Sequence, residues 1–202
     1  MGIFSKKTES GTEIAGETPK VALHFFLELV QVVAISLAII IPVRYFLIQP
    51  FYVKGASMEP NFFDHEYLII DEISYRFSEP ERGDILVFHY PNDPKNYFIK
   101  RLIGLPGETV EIANGQVKIY NDEYPNGIVL DESLYLSDKY TAQTRRDTLK
   151  ANEYFVLGDN RAASLDSRFF GPIEEDVLVG RVWVRGWPLD RWKIFKTPDY
   201  NL

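Results

Sequence analysis

Hydrophobic positions run almost unbroken from residue 21 to residue 43, where His24 and Glu28 are the only ionisable side chains. Coiled into a helix, such a run is about 34 Å long, enough to cross a hydrocarbon layer of roughly 30 Å. The pattern predicts a transmembrane anchor over residues 21–48. Glu28 then lies near an interface or is protonated, because a carboxylate inside hydrocarbon is costly. Pro42 is expected to bend or end the helix beside Arg44 and Tyr45, an interfacial pair. A buried core helix is the alternative, disfavoured by the length and near-continuous apolarity. A cleaved secretory leader has an apolar core of roughly 7–15 residues and then a small-x-small site. The Ile48-Gln49-Pro50-Phe51-Tyr52 that follows here offers no such site. Residues 1–20 are polar and without apolar periodicity, and read as a disordered tail. Lys6, Lys7 and Lys20 before the run, against Arg44 and Lys54 after it, barely favour a cytoplasmic N-terminus.

Beyond the anchor, residues 49–202 change period. Residues 66–70, 84–90, 97–103, 153–157 and 178–185 are short runs of β-branched and aromatic residues, most of them bounded by Pro, Gly, Asn or Asp. Residues 108–113 and 116–120 alternate, and Asn114-Gly115 between them is a strong signal for a type I′ hairpin. Residues 121–150 are polar and irregular, and read as an inserted lobe or flap with one helical turn near 131–136. The expected fold is mostly β, built of antiparallel sheets and preceded by one transmembrane helix.

Composition narrows the chemistry. A net charge of −7 argues against a nucleic-acid partner. The absence of cysteine excludes a disulfide scaffold, a thiol nucleophile and a Cys-built zinc site. His24, His65 and His89 show no close metal-ligand spacing, so a metal enzyme is not expected. Trp183, Trp187 and Trp192 are open to reading as core, as a dimer face or as a bilayer contact.

Two residues suit nucleophilic chemistry. Ser57, in Gly55-Ala56-Ser57-Met58-Glu59-Pro60, has little side-chain bulk before it, and Pro60 limits how the turn relaxes. An exposed turn serine would look the same. A histidine base fits poorly, and Glu59 breaks the G-x-S-x-G elbow. Lys100 is the other option, provided burial makes its amine neutral. Strand alternation puts Lys100 on one face with Phe98 and Leu102, while Ile99 and Arg101 point the other way. A lysine that snorkels out at a sheet edge is the competing reading.

Four strings occur in order: Gly55-Ala-Ser57-Met58-Glu-Pro60, Gly83-Asp84-Ile-Leu-Val-Phe88, Tyr97-Phe-Ile-Lys100-Arg101-Leu-Ile-Gly104-Leu-Pro-Gly107, and a run from Gly158 to Gly171 holding Gly158-Asp-Asn-Arg161 and Ser164-Leu-Asp166-Ser-Arg168. With the anchor, they resemble bacterial type I signal peptidases from residue 21 to about 188. The resemblance implies a catalytic domain of the signal-peptidase type at 49–202, outside the cytoplasmic membrane, with residues 1–20 cytoplasmic. Ser57 would be the nucleophile and Lys100 the general base, with Ser164 orienting the amine. Asp159, Asp166, Arg101 and Arg168 would brace the site through ion pairs. The Ser57 N–H would serve the oxyanion, and Gly55 occupies the place where some members supply a second donor. Val53, Met58, Phe62, Phe98 and Ile99 would line shallow pockets for small residues at substrate positions −1 and −3. The implied partners are exported preproteins, cut after a motif such as Ala-x-Ala, and the lipid bilayer, with no metal or cofactor. A catalytically silent, membrane-anchored β module that binds exported peptides is the rival, as is a peptidase specialised for one partner. Lys54, Asn61 and Ala162-Ala163 depart from residues frequent in the family.

Overall fold

A computed structural model describes residues 18–46, 49–137, 140–198 and 200. The chain divides into two units, Met1–Val43 and Arg44–Leu202. Residues 1–17, most of the expected tail, lie outside the described residues, as do residues 47 and 48 at the end of the expected anchor.

The first unit is carried by α1 (Thr18–Phe46), so residues 18–20 belong to a helix rather than to the tail. The helix runs through Pro42 instead of ending there. Proline removes one backbone donor but leaves the residues after it free to make their own bonds. Residues 21–42 are long and apolar enough to cross a membrane. Their side chains are exposed on every face, Phe25 by 68% and Ile39 by 60%, which excludes a buried core helix. Glu28 meets His24 one turn back, at 3.1 Å.

The second unit holds two antiparallel sheets. Its elements are β1 (Gln49–Tyr52), β2 (Tyr67–Asp71), β3 (Ile85–Tyr90), β4 (Asp93–Gly104), β5 (Thr109–Ala113), β6 (Gln116–Tyr120), β7 (Ile128–Val129), β8 (Arg145–Thr148), β9 (Glu153–Leu157), α2 (Ser167–Phe170), β10 (Ile173–Glu174), β11 (Leu178–Trp187) and β12 (Lys193–Ile194). The larger sheet has the order β1-β2-β11-β3-β4-β9-β10, with β12 beside β11. Register shifts interrupt the pairing of β11 with β2 and β3, and of β4 with β9. Such bulges bend a sheet, and this one curls far enough that Phe51 of β1 meets Tyr97 of β4 edge-on, with ring centroids 5.2 Å apart. A cleft lined by both strands results.

The smaller sheet has the order β7-β6-β5-β8. Asn114 and Gly115 both have positive φ, as a type I′ turn requires. Residues 121–150 are therefore not wholly irregular, because β7 and β8 close the two edges of this sheet. One strand is two residues long and the other reads Arg-Arg-Asp-Thr, so neither shows apolar alternation. The expected helical turn is there as a hydrogen bond from Leu136 N–H to Glu132 O at 2.9 Å. The two sheets share a core of Ile103, Val110, Ile112, Val117, Ile119 and Phe155, with others. At Gly104 a Cβ would come within 2.3 Å of Val110 Cγ2, so only glycine lets the sheets close there.

Candidate active site

Ser57 lies in the turn that leaves β1. Val53 N–H bonds to Glu66 O at 2.9 Å, and two residues later Gly55 adopts φ +86°. Nothing lies within 4 Å of a Cβ built there, so the backbone angle and not crowding selects glycine. Its N–H is committed to Asp64 Oδ1 at 2.9 Å. Met58 and Phe62 are fully buried in a cluster with Val53, Leu68 and Ile70, and they pin the turn to the sheet. Residues 158–160 hold its other side. Asn160 N–H donates to Ser57 O at 3.0 Å, and its side-chain amide donates to Ala56 O, also at 3.0 Å. Asn160 falls inside one of the recognised strings, yet nothing in the string reveals this tie.

Lys100 comes off β4 on the face it shares with Phe98 and Leu102. It is 3% exposed, so it does not snorkel. Its Nζ donates to Ser57 Oγ at 2.8 Å and to Ile99 O at 2.7 Å, and sits 5.1 Å from the Phe98 ring centroid. Burial pulls its pKa down, and the carboxylates of Asp166 and Asp159 pull it partly back, leaving it lowered to about 8. A group that titrates at about 8 is about one-tenth neutral at pH 7, against about one part in 3,000 at the ordinary 10.5.

The four charged residues form two buried pairs. Arg101 grips Asp159 through Nε (2.8 Å) and Nη2 (2.7 Å) and donates to Gly83 O at 3.0 Å. Arg168 grips Asp166 through Nε (2.8 Å) and Nη2 (2.9 Å), while Asp166 caps α2 and accepts Gly158 N–H at 3.0 Å. Asn61, one of the departures from the family pattern, ties Asp159 Oδ2 to Tyr135 O. A third buried pair, Arg161 with Glu132, joins these loops to the segment after β7, and Tyr135 of that segment stacks on Arg101 with the guanidinium carbon 3.9 Å from the ring centroid. Glu132 and Tyr135 lie in the stretch read as irregular. Their polarity signalled exposure, but pairing is what allows such groups to be buried.

Ser164 is buried but not bonded to the lysine amine: among the described residues its Oγ has no hydrogen-bond partner. It stands over Gly158, where a Cβ would come within 2.1 Å of Ser164 Oγ and 2.5 Å of Ser57 O.

A cavity of about 590 Å³ opens beside the pair. Val53, Phe98 and Ile99 line it with Ser57 and Lys100, but Met58 and Phe62 do not. Being wholly buried, those two support the wall from behind. A lysine amine held on a serine hydroxyl, at the end of an open, mainly apolar cleft, is a constellation suited to acyl transfer. Among the described residues no cluster of His, Asp and Glu is arranged to hold a metal.

A family model described as "Signal peptidase, peptidase S26" matches residues 26–187. A probable signal peptidase I-2 of Synechocystis sp. is 38% identical over 193 residues, covering 93% of this chain and 80% of that protein. Signal peptidase IB of Staphylococcus aureus is 32% identical over 184 residues, covering 86% and 95%. A crystal structure of a signal peptidase I from Enterococcus faecalis is 35% identical and covers 52% of this chain and 97% of its own, with a TM-score of 0.42.

Proposed function

This chain belongs to the signal peptidase family, peptidase S26, and from that premise we propose that it is a membrane-anchored serine endopeptidase which removes signal peptides from exported preproteins through Ser57 and Lys100. The observation that carries the reading is the 2.8 Å contact between the Lys100 amine and the Ser57 hydroxyl, in surroundings that lower the lysine pKa to about 8.

In this reading neutral Lys100 takes the Ser57 proton as Oγ attacks the carbonyl preceding the scissile bond. The tetrahedral oxyanion is held by the Ser57 N–H, worth about 3–4 kcal/mol for a preorganised donor. Gly55 supplies no second donor, since it has no hydroxyl and its N–H is engaged by Asp64. The Lys100 ammonium then protonates the departing amine, which leaves an ester on Ser57. Lys100 next takes a proton from a water whose oxygen attacks the ester carbonyl. It gives that proton to Ser57 Oγ as the ester bond breaks, which releases the signal peptide and restores the serine. Asp159, Asp166, Arg101 and Arg168 keep the surrounding loops in place. Ser164 Oγ, buried and unpartnered, is free to turn toward the amine once substrate excludes water. Small side chains at positions −1 and −3 would rest against Val53, Phe98 and Ile99, which leave a shallow, open wall. We also assign residues 21–48 to the transmembrane anchor, with the N-terminus cytoplasmic and residues 49–202 extracytoplasmic.

The decisive experiment is cleavage of a purified preprotein by the detergent-solubilised chain beside Ser57→Ala and Lys100→Met. The parent should cut after the small-x-small motif, and each variant should lose at least about a thousandfold in rate. If Lys100→Met still cuts, another residue is the base. If the parent binds a preprotein without cutting it, the peptide-binding module is the right reading.

A further inference from the structure

The chain carries a net charge of −7, yet no Asp or Glu side chain lines the 590 Å³ cavity. Three lysines do: Lys100 beside Ser57, together with Lys54 and Lys95. Lys54 and Lys95 are exposed, and neither side chain has a hydrogen bond or ion pair among the described residues. Glu59 does not line the cavity, and two other carboxylates near these lysines along the chain are otherwise engaged. Asp64 accepts Gly55 N–H and meets His65 Nδ1 at 2.8 Å. Asp93 accepts Lys95 N–H and the Asn96 side-chain amide at 2.7 Å.

The topology places these ammonium groups. Four successive antiparallel pairings, β1–β2, β2–β11, β11–β3 and β3–β4, make β1 and β4 run the same way. Both wall the cleft, and both lead toward its catalytic end, β1 to Ser57 and β4 to Lys100. Lys95 stands five residues before Lys100 on β4, about 17 Å of extended chain, and Lys54 lines the same cavity from the turn between β1 and Ser57. A peptide stretched along the cleft with its scissile carbonyl at Ser57 meets apolar wall first along β4, at Ile99 and Phe98. It reaches Lys95 about five residues from the cut, in the cavity that Lys54 also lines.

From this we infer that Lys54 and Lys95 are specificity-determining residues, which make the groove select an acidic side chain at substrate positions −4 to −6. The inference rests on the proposed reading, in which the cleft holds the residues before the cut. A carboxylate there meets unpaired cations in a groove without competing anions, whereas a lysine meets only repulsion. Exposed pairs are weak and salt-screened, so the expected preference is modest and ionic-strength dependent.

The test uses preprotein-derived peptides that differ only by Glu, Gln or Lys at positions −4, −5 and −6. Binding to the full-length Ser57→Ala chain is measured in detergent by fluorescence anisotropy. Binding isolates charge selection from catalysis, so a failed nucleophile assignment would not be mistaken for a failed groove. The expected order at 50 mM salt is Glu over Gln over Lys, with Glu favoured over Lys about three- to tenfold, shrinking toward unity at 1 M salt. Lys54→Glu with Lys95→Glu should invert the order. An inversion is a gain that misfolding cannot imitate. Equal binding of the three peptides, or an unchanged order in the double variant, overturns the inference.

Discussion

At the residue scale, the chemistry turns on one proton. In the proposed mechanism Lys100 works as a base only when neutral, so kcat/KM should climb about tenfold per pH unit below about 8 and level off above it. The two carboxylates that raise the lysine pKa give this limb a second test. Asp166→Asn removes a negative charge and leaves Arg168 unpaired, and both changes push the lysine pKa further down. The limb should therefore move to lower pH. Breaking a buried pair also costs about 3–5 kcal/mol of stability, but the position of the limb does not depend on how much enzyme is folded. A pH profile that stays put would show that Asp166 does not act on the amine. For stability the sign runs the same way. With a folded pKa below the unfolded one, Lys100 penalises the fold below about 8, and the penalty fades as pH rises toward 10.5.

At the element scale, the site is a meeting of two turns, one after β1 and one after β9. Gly158 is where they touch. A methyl group there would overlap Ser164 Oγ and Ser57 O, at 2.1 and 2.5 Å. Gly158→Ala should displace the nucleophile and lower kcat/KM about a hundredfold. Gly55 makes the contrast, since its Cβ meets open space and a substitution meets only the positive φ. Gly55→Ala should cost about 1–2 kcal/mol in denaturant unfolding, with a far smaller loss of rate. Equal rate losses would mean that the approach of the two turns is not what Gly158 permits. The same turn after β9 reaches back through Arg161 to Glu132, so residues 121–150 act on the site by bracing its loops.

At the scale of the whole molecule, the two units answer, in the proposed reading, to different solvents. The second closes its own core, while α1 presents apolar side chains all round. Trp183, Trp187 and Trp192 are exposed, which removes the reading of these aromatics as core. The proposed topology puts the N-terminus in the cytoplasm. A tag there should survive protease added to intact cells, while one at the C-terminus is cut. Loss of the N-terminal tag would reverse the orientation.

Residues 21–43, the alternating runs and Asn114-Gly115 determined the apolar helix, most strands and the hairpin without any tertiary information. Period and turn chemistry are local properties, written within a few residues of where they act. The pairing of Ser57 with Lys100 was legible only through the recognised strings, since the two stand 43 residues apart. What the fold alone decided was whatever depends on neighbours from distant segments. The depressed lysine pKa is the balance of burial against two carboxylates brought in by the loop after β9. The burial of Met58 and Phe62 behind the cavity wall depends on which side of the turn the sheet lies. The unpaired Ser164 hydroxyl, the tie through Asn160 and the edge strands β7 and β8 likewise exist only once partners arrive. Desolvation and hydrogen bonding are set by what surrounds a group in space, and a linear pattern records only what surrounds it along the chain.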